Sequence, residues 1–453
     1  MVRRFSLLFA VVVIAFGPSS LLTAQQPAAP PAAPPAAAPG PGPRGGGRGA
    51  PPVKSPEVSA DGRVTFRLRA PNAKEVGVTF AGNKLAMQKD EQGVWSVTSD
   101  VLAPDYYTYS LVVDGSSLND PANRQVQTSF AGFQSMFVIP GPQPWLPAPT
   151  VPRGAIARHT FRSAVANDER DYFVYTPAGY DARRSRAYPV VYLLHGLGDD
   201  AERWMNGGAA NVILDNLIAQ GRAVPMVLVT TLGYGVSNGP AGAMAAESVT
   251  GYTKILLEEV MPAVERAYNV SRNREERAIA GLSMGGAETL YTALNHLDKF
   301  AWIGSFSGAF VMWPGASVAP AAAPAAVAPA AAPAAAAAPP PAGTAAPAPG
   351  APPAAAPEGA AGGRGRGGMR TVDPGVFDKN FPALDAKVNS KIRMLWITCG
   401  TADSLIAVNR QFKDWLRSKN VQFTELETPD VGHVWPYWRS NFTEFAQKAF
   451  QSK

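Results

Sequence analysis

A mostly parallel α/β sheet, preceded by a small antiparallel β-sandwich, is the fold this sequence predicts. Three observations carry it. Across residues 150–452, uninterrupted apolar strands alternate with runs of helical spacing, the pattern of a parallel sheet covered on both faces. Across residues 54–142, short strands alternate apolar and polar residues between turn signals, which suits a sandwich. Between an apolar strand and a helix lies Gly281-Leu-Ser-Met-Gly285, whose glycine spacing suits a tight strand-to-helix turn.

In chain order, residues 1–24 read as a cleaved signal peptide. Arg3 and Arg4 precede an apolar run from Phe5 to Phe16, and Thr23-Ala24 precedes Gln25. The run is too short to span a bilayer, so a secreted or periplasmic protein without stable membrane insertion is expected. An uncleaved anchor is the competing reading; no Cys follows the run to carry a lipid. Residues 25–53 and 315–368 are almost entirely Pro, Ala, Gly and Arg, and hold much of the chain's 43 Pro and 43 Gly. Such segments lack the bulky apolar side chains that offset the entropy of folding, and are expected to be a linker and a low-complexity insertion. The net charge of +6 is modest and includes Arg44, Arg48, Arg364 and Arg366 in those tracts, so no nucleic-acid partner is expected. Cys399 is the single cysteine, expected as a small buried residue ending a strand rather than half of a disulfide.

In residues 54–142, Val64, Phe66 and Leu68 point one way while Thr65, Arg67 and Arg69 point the other. Val76, Val78 and Phe80 repeat this, as do Trp95 with Val97, and Tyr107, Tyr109, Leu111 and Val113. Asp61-Gly62, Pro71-Asn72, Gly82-Asn83 and Asp114-Gly115 supply the turns. Trp95 could offer a sugar-stacking platform, but its phase with Val97 places it in the core. The Asp114-Gly115 turn followed by Asp120-Pro121 resembles immunoglobulin-like modules found before glycan-active enzymes.

In residues 150–452 the expected parallel strands are 190–194, 224–230, 277–282, 302–306 and 392–398, with Asp171–Tyr175 as an antiparallel first strand. Helical spacing covers 209–220, 252–268, 285–297, 407–419 and 437–449. The glycine-flanked turn is the nucleophile elbow of an α/β-hydrolase, with Ser283 lifted above the strand ends at a helix N-terminus. A serine hydroxyl needs a base, and the chain has four histidines. His159 precedes the first expected strand, His296 falls inside the helix after the elbow, and His195 closes an apolar strand. His433 remains, on the loop before the last helix. The base needs an orienting carboxylate: Asp403 gives the order Ser, Asp, His, while its rival Asp430, on the same loop as His433, suits a turn. His195-Gly-Leu-Gly198 would supply an oxyanion hole, with the backbone N–H groups of Leu197 and Met284 as donors. No metal-ligand spacing or nucleotide loop is present in the sequence, and no cofactor is expected.

Leu194-His-Gly-Leu-Gly198, Pro225-Met-Val-Leu-Val229, Gly281-Leu-Ser-Met-Gly-Gly286, Leu297-Asp-Lys-Phe300, Cys399-Gly-Thr-Ala-Asp403 and Gly432-His-Val-Trp435 together resemble the esterase D superfamily. The resemblance is strongest to its feruloyl and acetylxylan esterases, carbohydrate esterase family one, and covers 155–452 apart from the second tract. It implies a serine esterase with the triad Ser283, Asp403 and His433, acting on feruloyl or acetyl esters of plant polysaccharide or on a small ester. It implies a carbohydrate-binding-like role for 54–142. A siderophore-ester hydrolase or a cell-envelope acyltransferase would use the same triad, and an inactive glycan-binding scaffold is the reading from another class. The insertion at 315–368 departs from the family pattern.

Overall fold

The computed structural model describes residues 52–80, 82–245, 247–320 and 370–451. The expected signal peptide, nearly all of the first tract and residues 321–369 of the insertion lie outside the described residues. From Pro52 onward the chain forms one compact unit.

The first part is the expected sandwich. One sheet orders β1 (Glu57–Val58), β2 (Val64–Arg69), β6 (Val94–Thr98) and β5 (Gln88–Lys89). The other orders β4 (Asn83–Ala86), β3 (Val76–Phe80), β7 (Tyr106–Val113), β10 (Gly132–Val138) and β9 (Val126–Ser129), with β8 (Ser116–Leu118) also on β7. The period-two residues Val64, Phe66, Val78, Tyr109 and Leu111 meet between the sheets as a core of their own, closed by Phe137 from β10. Trp95 belongs to that core, and its indole N–H donates to the Ala70 carbonyl at 2.9 Å.

The second part is an eight-stranded sheet ordered β11 (Ala155–Arg162), β12 (Glu169–Thr176), β14 (Val227–Thr231), β13 (Val190–Leu194), β15 (Arg277–Leu282), β16 (Trp302–Phe306), β19 (Met394–Gly400) and β20 (Thr424–Thr428). From β14 onward all neighbours run parallel; β11 and β12 run antiparallel. The first strand is therefore β11, not 171–175, and His159 lies within it. An exposed edge strand carries Arg158, His159 and Thr160 and lacks the apolar run of a central strand. Two strands shift from their expected bounds: 224–230 gives way to β14 and 392–398 to β19. Pro225, which has no N–H for a ladder, lies before β14.

The helices are α1 (Arg203–Asn206), α2 (Ala210–Ala219), α3 (Ser248–Lys254), α4 (Met261–Ala267), α5 (Met284–Asn295), α6 (Gly375–Asn380), α7 (Ile406–Ser418) and α8 (Trp435–Lys448). A π-helical segment, Ile255–Val260, splits the single helix expected over 252–268. Neighbouring residues of β16 show how the faces divide. A side chain on Gly304 would strike Phe445 of α8, whereas the Ser305 hydroxyl donates to Gly286 of α5. Successive strand residues face opposite ways, so α8 and α5 cover opposite faces.

β17 (Val318–Pro320) and β18 (Arg370–Val372) form a separate antiparallel pair in which Pro320 stands opposite Arg370. The two ends of the insertion therefore meet, and the Arg370 N–H donates to Ser404, next to Asp403.

Candidate active site

Register brings the site together. Leu194 of β13 pairs with Gly281 of β15, Leu282 with Phe306 of β16, Phe306 with Thr398 of β19, and Gly400 with Thr428 of β20. The loops leaving these aligned ends carry Leu197, Ser283, Ser307, Asp403 and His433.

Ser283 joins β15 to α5 with φ of 53° and ψ of −116°, a conformation that L-residues adopt only under constraint. The constraint is visible. The Ser283 N–H donates to Phe306, and its carbonyl accepts from Ala287 at 3.1 Å and Ala309 at 2.8 Å. The elbow glycines permit the close approach: a Cβ on Gly281 would lie 2.4 Å from the Gly285 carbonyl oxygen, and one on Gly285 2.6 Å from the His195 oxygen.

The His433 imidazole spans the other two groups. Its Nε2 is 3.0 Å from Ser283 Oγ, and its Nδ1 is 2.7 Å from Asp403 Oδ2. With a carboxylate on Nδ1, that nitrogen carries the proton and Nε2 is free to accept one from the serine. The Asp403 side chain is fully buried. Burial opposes its charge most strongly, yet the hydrogen bond and charge of His433, the Leu405 N–H and the Ser307 hydroxyl together hold its carboxyl below the ordinary carboxylate value. It is ionised and hydrogen-bonded to the His433 ring.

Ser307 and Trp438 are site residues that sequence reading did not find. Ser307 is buried and also has positive φ. Trp438 donates from its indole to Ser307 and meets the His433 ring edge-on at 4.7 Å. Both act through contacts between distant segments; the only local signal is a tryptophan on the helix that follows the histidine.

Met284 opens α5, so its N–H is among those a helix leaves without an internal acceptor. Leu197 sits second in the turn Gly196–Asp199, closed by the Asp199 N–H on the Gly196 carbonyl, which leaves the Leu197 N–H outside the turn's own bond. Gly198 in that turn has φ of 88°, a conformation suited to glycine. A Cβ on Gly196 would touch Ser283 Cβ at 3.4 Å, so this loop lies directly against Ser283. His195 is a buried brace: it accepts from the Gly233 N–H at 2.9 Å and donates to the Gly196 carbonyl at 2.8 Å. Burial lowers its basicity, which keeps it neutral.

The remaining sequence-singled residues lie apart from this chemistry. Asp430 has φ of 59° and takes the Thr401 hydroxyl on its N–H, a turn residue. His159 Nε2 meets the Tyr268 hydroxyl at 2.6 Å. Cys399 is buried near the end of β19, and burial pushes its thiol up. No group of three or more potential metal ligands occurs among the described residues. No helix among them is long and apolar enough to cross a membrane.

Residues 163–339 match the family model Esterase, described as "Putative esterase". An endo-1,4-beta-xylanase/feruloyl esterase of Xylanibacter ruminicola is 33% identical over 270 residues, 57% of this chain and 36% of that protein. Endo-1,4-beta-xylanase Y of Acetivibrio thermocellus is 29% identical over 209 residues, 44% of this chain and 18% of that protein. The chain thus spans about a third or less of the length of these curated relatives. Among solved structures, the enterobactin esterase of Shigella flexneri shares the fold, with a TM-score of 0.52 and 18% identity over 86% of this chain and 93% of that one. The segment that holds the elbow and the loop beside it is thus similar to the esterase family.

Proposed function

We propose that this protein is an exported serine hydrolase that cleaves carboxylic esters, with feruloyl or acetyl esters on plant polysaccharide as substrates. The observation that carries the reading is the His433 imidazole held between Ser283 Oγ and Asp403 at hydrogen-bond distance. Ser283 Oγ attacks the ester carbonyl while His433 Nε2 takes its proton. Asp403 holds the ring in the right tautomer and stabilises the imidazolium. The Leu197 and Met284 N–H groups receive the oxyanion, each donor contributing roughly 2.7–4 kcal/mol to the transition state. His433 returns the proton to the departing alcohol, and water activated by the same base then releases the acid. The polysaccharide choice draws on the names of the two curated relatives, both xylanases and one also a feruloyl esterase. We further assign residues 54–142 and 150–452 as the two structural modules, with 315–368 as an insertion in the second.

A siderophore ester is the second reading, favoured by a fold likeness to the enterobactin esterase that extends over most of the chain. A panel of methyl ferulate, acetylated xylan and a cyclic catecholate triester decides between them. Highest kcat/KM on ferulate or acetylxylan supports the first reading; highest on the triester transfers the substrate to the second. No hydrolysis of any ester overturns the enzyme reading.

A further inference from the structure

We propose that the β9–β10 hairpin of the sandwich forms the subsite for the sugar on the alcohol side of the ester, making the N-terminal module part of the active site. This inference rests on the ester-hydrolase reading above.

The hairpin tip is tied to the loop beside the nucleophile. The Phe130 N–H donates to the Gly198 carbonyl at 3.0 Å, one residue after Leu197. The Phe130 ring meets Tyr234 edge-on at 5.3 Å, and the Tyr234 hydroxyl in turn accepts from the Gly198 N–H and donates to the Asp199 carbonyl. On the other side of the hairpin, the Asn206 amide of α1 donates to Thr128 Oγ1 at 3.0 Å. The tip therefore has one position relative to the oxyanion loop, as a substrate-ordering wall requires.

Between tip and loop lies a cavity of about 280 Å³, with Gln127, Phe130 and Gln134 from the sandwich facing Leu197, Asp199 and Pro240. A second, of about 680 Å³, runs on past Phe130 and Phe133 to Arg158, Asp171 and Asp200. Phe133 is 65% exposed, Phe130 43% and Leu197 48%, so apolar surface borders amide and carboxyl groups. That mixture suits a pyranose or furanose ring. Its C–H face lies on an aromatic ring while its hydroxyls meet amides and carboxylates. A planar aromatic acyl group would want a dry apolar slot instead, so the occupant is the sugar. The tryptophan of the sandwich offers no alternative platform, because Trp95 is buried in the module's core.

The test is the double variant Phe130→Ala/Gln134→Ala, both residues being exposed and lining the 280 Å³ cavity. The ratio of kcat/KM for a feruloylated arabino-oligosaccharide to that for methyl ferulate should fall about ten-fold, from one lost stacking contact and one lost hydrogen bond. The fall should appear mainly in KM of the sugar ester. An unchanged ratio overturns the subsite, whether both rates fall together or neither moves. If wild type hydrolyses neither ester, the hydrolase reading fails on its own, and the hairpin is read by titrating Ser283→Ala protein with the unesterified oligosaccharide. Binding weakened about ten-fold by the double variant supports the sugar site; unchanged or absent binding overturns it.

Discussion

Asp403 and Asp430 are the two candidates to orient His433, and their surroundings differ. Asp403 is buried under the imidazole with Leu405 and Ser307 donating to it. Asp430 is exposed and serves a left-handed turn. Asp403→Asn should therefore lower kcat by about 10⁴-fold, through the wrong imidazole tautomer. Asp430→Asn should stay within about two-fold, since Asn tolerates the same backbone conformation. Steady-state kinetics on one aryl ester checks both, and the reverse ranking transfers the orienting role to Asp430. A second residue reports on pH. Glu288 of α5 is fully buried with neither oxygen hydrogen-bonded among the described residues, and burial raises its carboxyl well above the ordinary value despite Arg170. The native state keeps this proton while the unfolded chain releases it above its ordinary pKa, so Glu288 costs stability as pH rises beyond that value. Glu288→Gln should raise Tm at pH 8 relative to wild type, with the gap closing below about pH 4; a gap independent of pH would show that Glu288 is ionised in the fold. The grouping of Ser283, Asp403 and His433 was legible because glycine spacing, chain order and a small number of histidines each constrain it. Ser307, Trp438 and Glu288 were not, because what defines them is burial and contact between distant segments.

Among elements, the buried central strands matched their sequence expectation best. Strands β13, β15 and β16 carry continuous apolar runs that admit one reading, and their bounds agree residue for residue with those expected. The edge strand β11 and the hairpin β9–β10 escaped, since Gln127, Thr128, Gln134 and Ser135 hide the alternation on which strand recognition depends. The insertion divides in the same way. Its composition was readable, while the pairing of β17 with β18 at its base was not, because Ala and Pro carry no strand signal. With Pro320 opposite Arg370, replacing residues 321–369 by Asn-Gly supplies a two-residue hairpin turn. Because loop closure depends weakly on length, this deletion should keep Tm within a few degrees and hydrolysis of a small aryl ester within about three-fold. Loss of small-ester hydrolysis in a folded deletion variant would place the segment in the active site.

At the scale of the whole molecule, the sandwich and the eight-stranded sheet share buried structure. Arg439 of α8 is almost wholly buried; it donates to Asp105 of the sandwich at 2.7 Å and to the Gly207 carbonyl. Asn216 of α2 donates to the Pro144 and Leu146 carbonyls, and Tyr106 and Met136 pack with Ala209 and Val212. Breaking a buried ion pair by removing one partner costs roughly 3–5 kcal/mol, since the other charge stays buried. Arg439→Met should lower Tm by several degrees, and calorimetry of wild type should show both modules unfolding in one transition. Two separate transitions would mean that the joint contributes little. The joint also sets the hairpin of the sandwich beside the loop that holds Leu197.

The most direct measurement of the central claim is covalent capture of the nucleophile. The protein is treated with an aryl fluorophosphonate, digested, and mapped by mass spectrometry while ester hydrolysis is followed. One label per chain is expected, on Ser283, with activity lost in step with labelling, and neither label nor hydrolysis in a folded Ser283→Ala variant. Labelling elsewhere, or hydrolysis that survives in the folded Ser283→Ala variant, would contradict it.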